Sequence, residues 1–287
     1  MRTIHTVVFS AGNGGGNPCP VILNADALTT EEMQKMTADF GFESVYILKA
    51  DSADCDIHFR YFVPLHEMEM CVHATIAGTT VLVQEGMIAH SPLHIQTLLG
   101  TICVHWTKEG ASIRVGVDQF LPKTLPSAPS PEEVCSALCV SAAELLSQPI
   151  RSVATSRYKL IVPLAQVETL QSMEPDFEQL WALCDQYDTT GFYPFAEEYL
   201  EDGTVIYHAR QFPKRAGYNE DPATGVAASA LGAYLAQEYP QRTQEGWNTF
   251  IIRQGEAMGR PSQITSQIEI TDGEITGTRI IGYADRL

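Results

Sequence analysis

The chain has no apolar run approaching the ~20 residues needed to cross a membrane. It is equally poor in basic clusters: the longest is the pair Lys214-Arg215, in a protein of formal net charge −17. A surface that acidic repels phosphate backbones and anionic lipid, so neither nucleic acid nor a membrane is an expected partner. The apolar core of a signal peptide is also missing. Met1 to Ser10 alternates like a strand, and a cytoplasmic protein is expected. The seven cysteines are odd in number and widely scattered, which reads as reduced thiols rather than a disulfide framework. Cys135 and Cys139 stand four apart on an expected helix, but no second pair with metal-ligand spacing accompanies them, and no metal site is expected. The stretch Gly12 to Gly16 lacks the Lys-Ser/Thr ending of a phosphate loop and the Gly-x-Gly-x-x-Gly fingerprint with its acid. It reads as a turn ahead of Asn17, whose amide is a candidate to line a cleft.

What is present is a chain of 287 residues, 45% of them apolar, enough for one large core or two small ones. Thr29 and Glu32 fit a capping box for a helix with Met33, Met36 and Phe40 at helical spacing. Strand-like runs fall at 43–49, 58–64, 94–98, 102–106, 112–117, 158–162, 191–195 and 204–212, and helical patterns at 132–146 and 175–187. The Pro/Ser-rich stretch Leu121 to Pro131 divides an N-terminal half, 1–120, from a C-terminal half, 121–287, with 275–287 available to return to the first.

The halves repeat. Arg60-Tyr61-Phe62-Val63-Pro64 resembles Arg210-Gln211-Phe212-Pro213, 150 residues on, and Ala74-Thr75 matches Ala223-Thr224, 149 on. Each Ala-Thr pair opens an Ala/Gly-rich apolar stretch, 74–84 and 227–237, of the kind a helix needs when neighbours press on every side. The expected fold is therefore α/β (α+β): two pseudo-symmetric domains, each a curled sheet or half-barrel around a central helix. A buried helix fed by a loop presents free N–H groups and the positive end of its dipole, an anion site. Two such helix starts converging on one cleft would suit a substrate carboxylate or a developing oxyanion. Asp221 before Pro222 also reads as an N-cap with proline at the first helical position.

Gly16-Asn17-Pro18, Glu43-Ser44-Val45-Tyr46, Arg60-Tyr61-Phe62, Cys71-Val72-His73-Ala74-Thr75 and Glu220-Asp221-Pro222-Ala223-Thr224-Gly225 stand in the order and spacing of one family. The chain resembles, over roughly residues 1–285, the phenazine-biosynthesis (PhzF-like) family, which is similar in fold to diaminopimelate epimerase. The resemblance implies an active site between two domains, a homodimer, and a proton shift on a small carboxylic acid without a cofactor. The founding member isomerises a dihydro-hydroxyanthranilate. By that match Glu43 is the catalytic carboxylate, with His73 and Asp221 as further catalytic residues. Asn17, Cys71, Ala74, Thr224 and Gly225 are substrate-binding candidates. Two positions depart from the pattern: Val72 stands where the family has Gly, and Val226 where the founding enzyme has Ser. A branched residue disfavours positive backbone angles, so the Val72 loop is expected to be reshaped.

Two other readings stay open. Cys71 at a helix start, where thiol pKa falls, would serve a two-base amino-acid racemase, although the second half offers Glu220-Asp221-Pro222 and no thiol. Val72 and Val226 would also suit a small-molecule-binding protein without activity. His66, Cys71 and His73 are zinc-ligand types in one stretch, but no metal is expected there.

Overall fold

A computed structural model describes residues 1–12 and 14–287. Asn13, within the expected glycine-rich turn, lies outside them. The chain forms two compact units, Met1–Asp118 with Ile280–Leu287, and Gln119–Arg279.

In the first unit the strands are β1 (Arg2–Val8), β2 (Asn17–Leu23), β3 (Ser44–Leu48), β4 (Ile57–Phe62), β5 (Glu67–Met68), β6 (Leu93–Thr97), β7 (Gly100–Glu109) and β8 (Ser112–Gln119); the helices are α1 (Thr30–Phe40) and α2 (Val72–Gln84). The pairings run β1–β2 antiparallel, β2–β3 parallel, β3–β4 antiparallel, β4–β6 parallel, then β6–β7 and β7–β8 antiparallel. Gly16 enters β2 at φ 88°, and a Cβ there would lie 2.6 Å from Val7 and 2.8 Å from the Val8 carbonyl, so no side chain fits. Helix α1 starts at the Thr29/Glu32 capping box and stops at Gly41, φ 72°. It covers one sheet face, where Met33 packs with Ile22, Tyr46 and Phe62. Helix α2 covers the other. Every residue from Val72 to Val83 is buried, and Gly78 lets it approach the sheet, since a Cβ there would meet the Phe59 ring at 2.7 Å. Burying a side chain such as Ile76 or Leu82 is worth roughly 1.5–3 kcal/mol each.

The second unit holds β9 (Lys123–Thr124), β10 (Arg151–Ala154), β11 (Lys159–Leu164), β12 (Gly191–Tyr199), β13 (Val205–Ala209), β14 (Phe212–Pro213), β15 (Gly246–Gln254), β16 (Ser262–Thr271) and β17 (Glu274–Gly282, whose last three residues belong to the first unit). Its helices are α3 (Pro131–Leu138), α4 (Val167–Ser172), α5 (Phe177–Gln186) and α6 (Gly225–Glu238). The pairings repeat the first unit's alternation: β10–β11 antiparallel, β11–β12 parallel, β12–β13 antiparallel, β13–β15 parallel, β15–β16 antiparallel. Helix α6, buried along almost its whole length, takes the place of α2, and α3, α4 and α5 pack with the apolar side chains of the opposite face. The chain ends in β18 (Ala284–Arg286), antiparallel to β1 in the first unit.

The repeated arginines do the same thing twice. Arg60 grips Glu67 through Nε and Nη2, both at 2.7 Å, and lies over the Phe62 ring. Arg210 grips Glu220 at 2.9 and 2.8 Å and lies over Phe212. Each fork ties a strand to the loop that feeds the central helix.

Four local expectations need correction. The central helices begin at Val72 and Gly225, so Ala74-Thr75 falls inside a first turn whereas Ala223-Thr224 precedes its helix. Asp221 caps no helix, because the N-cap of α6 is Thr224. The helical pattern at 132–146 breaks after Leu138, where Cys139 takes a left-handed φ of 55° as the C-cap. Val72 is the first residue of α2 and its φ is not positive, so the backbone angle that a branched side chain disfavours does not arise there.

Candidate active site

Parallel pairing of β2 with β3 brings the N-terminal ends of both strands to one end of the sheet. Asn17 opens β2 and is buried, and Glu43 directly precedes β3. The start of α2 supplies the rest. Cys71 is its N-cap and His73 its second residue, both buried. Glu43 Oε2 lies 3.2 Å from His73 Nε2 and 3.7 Å from Cys71 Sγ, while Cys71 Sγ lies 3.1 Å from His73 Nδ1. Glu43, Cys71 and His73, singled out from the sequence, are thus one cluster in the first unit. Ala74, buried in the first turn of α2, contributes backbone rather than a functional side chain.

One tautomer fits these contacts. A neutral imidazole assigned its proton on Nε2 donates to the Glu43 carboxylate and accepts the one Cys71 S–H at Nδ1, so the longer 3.7 Å approach of Sγ to Glu43 Oε2 is then a contact without a proton. The first turn is anchored from behind: Tyr61 Oη meets Thr75 Oγ1 at 2.8 Å, and Thr75 Oγ1 donates to the Cys71 carbonyl at 2.8 Å. Burial pushes the Tyr61 phenol far up, so it stays neutral. All seven cysteines are free thiols. Burial, with the Glu43 charge adding, drives Cys19 well up as well, which leaves it an inert packed thiol.

The second unit builds its helix start from other groups. Asp221 is buried and forms a β-bridge with Gln211, and its Oδ2 accepts from Thr224 Oγ1. Gln254, at the end of β15, donates to the Asp221 carbonyl at 2.6 Å and to Thr224 Oγ1 at 3.2 Å, and accepts from Tyr193 Oη at 2.9 Å and from the Thr224 N–H at 3.2 Å. Tyr193 is pushed up by burial, with the Asp221 charge adding, so it too remains a neutral donor. Gly225, first residue of α6, is buried. Gln211 is buried with neither amide atom hydrogen-bonded. Gln211 and Gln254 were missed in the sequence reading. Gln211 was within reach, because it stands in the repeat where the first half has Tyr61; Gln254 carries no local signal at all.

Both central helices begin without a capping side chain on the N-cap residue. Neither Cys71 nor Thr224 gives its helix a side-chain cap, and neither first turn holds an acid, whereas α1 and α3 each have a capping box and two acids. A helix start without a capping side chain of its own or an acid in its first turn favours an anion beside it, as the Glu43 carboxylate stands beside α2.

The chain belongs to the phenazine biosynthesis-like protein family, whose model matches residues 7–285. Over 280 residues, 95% of this chain and 93% of the relative, it is 30% identical to the uncharacterized isomerase YfhB of Bacillus subtilis. It is 26% identical to the trans-2,3-dihydro-3-hydroxyanthranilate isomerase of Pseudomonas aeruginosa, across 93% of this chain and 90% of that one. The crystal structure of the Bacillus anthracis phenazine biosynthesis protein of the PhzF family superposes with a TM-score of 0.88 at 28% identity, covering 100% of this chain and 98% of that one. The fold is thus the epimerase-like fold of this family, and the chain is an enzyme of the isomerase class. No helix among the described residues is long and apolar enough to cross a membrane.

Proposed function

We propose that this enzyme moves a proton on a small carboxylic acid without a cofactor, with Glu43 as the group that removes the proton and returns it. The observation that carries the reading is the Glu43–His73–Cys71 cluster at a helix start with no cap of its own. A carboxylate that abstracts a proton becomes the acid that reprotonation needs, so one group serves both steps. A carbanion conjugated with its activating group needs no cofactor to spread the charge. The N–H groups at the start of α2 suit the substrate's carboxylate or the charge that develops. His73 orients Glu43. Asn17, buried at the start of β2, takes a polar group of the substrate, while Asp221, Thr224 and the Gly225 backbone form a separate polar set at the start of α6.

The contact of Cys71 Sγ with His73 Nδ1 favours one second reading, in which the imidazole takes the thiol proton and the thiolate is the base. A screen of small acids read by deuterium wash-in separates the two. Solvent deuterium enters the substrate if the enzyme is an isomerase. Glu43→Gln then loses the exchange on the carboxylate reading, and Cys71→Ser loses it on the thiol reading. A ligand that binds tightly and never exchanges would mean a binding protein instead.

A further inference from the structure

A second group of donor atoms converges elsewhere in the first unit. Cys103 and His105 lie two apart on β7, so the strand's period places both side chains on one face, while Ile102 and Val104 are buried on the other. Asp118 on β8 follows Val117, the register partner of Val104, and so stands beside Cys103. Gly116, opposite His105, carries no side chain to fill the space there. Cys103 Sγ lies 3.5 Å from His105 Nε2, and Asp118 Oδ2 lies 3.2 Å from the same nitrogen. One ligand atom from each of the three residues lies within 4.8 Å of the others.

Convergence on one nitrogen is the informative feature. A proton relay uses both imidazole nitrogens, as His73 does between Cys71 and Glu43. At His105 the sulfur and the carboxylate oxygen both address Nε2, which offers either one proton or one lone pair. Three donors around a common point suit a cation at that point. In a tetrahedral zinc site, with Zn–S about 2.3 Å and Zn–N and Zn–O about 2.0–2.2 Å, the S···N and N···O edges come to about 3.5 and 3.4 Å. The observed 3.5 and 3.2 Å match these edges. Thiolate and imidazole select a borderline-soft first-row ion over magnesium or calcium. The His105 and Asp118 side chains are 38% and 31% exposed, so an ion can enter and a water can complete the shell.

We propose that Cys103, His105 and Asp118 form a binding site for a zinc-class divalent cation, with the fourth position taken by water. The site shares no residue with the Glu43 cluster, so it stands or falls independently of the proposed reaction. It is tested on the full chain, stripped with chelator and titrated with Co²⁺, whose thiolate complex absorbs in the near ultraviolet, and with Zn²⁺ by calorimetry. The expected result is one equivalent bound, with a Co²⁺–thiolate band that Cys103→Ser removes and Cys71→Ser leaves. Asp118→Asn, at a partly exposed position, should keep the band and weaken Zn²⁺ by more than about a hundredfold, beyond what loss of an outer-shell partner produces. Absence of a band, a band that survives Cys103→Ser, or Zn²⁺ affinity unchanged in Asp118→Asn would overturn the site.

Discussion

The starts of α2 and α6 occupy the same place in two sheets of the same strand order, yet they carry different chemistry. Both follow a strand with an Arg–Glu fork and both lack caps. The first is lined by a carboxylate, an imidazole and a thiol, and the second by a carboxylate tied into a threonine–glutamine–tyrosine chain. Where α2 has Cys71 at its N-cap, α6 has Thr224, whose hydroxyl is no acid/base group near neutral pH. A scaffold duplicated in this way keeps its forks and its helix starts without a capping side chain in both copies, while the carboxylate–imidazole–thiol cluster is built in one. The thiol pair that a symmetrical two-base racemase needs is not formed by these two N-caps.

The sharpest way to break the comparison is to remove the acid/base group from each side. Glu43→Gln should lower turnover by about 10²–10⁴-fold with substrate binding largely kept. Asp221→Asn, which weakens the tie to the Thr224 hydroxyl, should lower turnover by no more than about tenfold, as the loss of one charge-assisted hydrogen bond would. Equal kcat losses in steady-state kinetics would mean that both halves share the chemistry. The forks come next. Arg210 is the more deeply placed, with side chains 10% and 12% exposed across its pair, and it also donates to the Leu170 and Met173 carbonyls. Arg210→Ala leaves Glu220 buried without its partner and should cost about 3 kcal/mol in denaturant unfolding. Arg60→Ala, at a pair 18% and 20% exposed, should cost about 1–2 kcal/mol.

The smallest effect is a pH dependence centred on one buried histidine of the second unit. His208 is buried between Glu256, 2.6 Å from Nδ1, and Glu198, 2.9 Å from Nε2. Burial opposes the imidazolium, but the hydrogen bonds it donates to the two carboxylates outweigh that and hold His208 above its ordinary 6.5, while Glu256 is held below its ordinary 4.5, chiefly by His208. A raised histidine stabilises fully below 6.5 and loses that contribution as pH rises through the folded value. A depressed carboxylate stabilises above 4.5 and loses it as pH falls. The pair therefore contributes most between those limits, and His208→Gln should flatten the melting temperature across pH 5 to 8 by about 1 kcal/mol of stability or less. An unchanged slope would show that the pair does not couple to unfolding.

Much of this was legible in the sequence because it was written in local patterns. The Thr29/Glu32 box forms as read, and the uninterrupted small apolar run marks α2 and α6 as buried on all sides. The repeat of Arg60 at Arg210 foretold a duplicated strand and fork. The starts of the two central helices were misplaced because each begins on residues with no capping chemistry, the same property that suits them to an anion. Asp221 read as a cap because Asp-Pro so often is one; its bridge to Gln211 and the hydroxyl of Thr224 claim it instead. Gln254 and Asp118 could not be found by spacing, since each meets its partners only through strand register.

The central claim is that Glu43, and not Cys71, moves the proton. Deuterium wash-in into an exchanging substrate, measured side by side for the parent enzyme, Glu43→Gln and Cys71→Ser at matched saturation, tests it directly. The account predicts that exchange is abolished in Glu43→Gln and nearly unchanged in Cys71→Ser. Persistent exchange in Glu43→Gln with none in Cys71→Ser would contradict it and give the chemistry to the thiol.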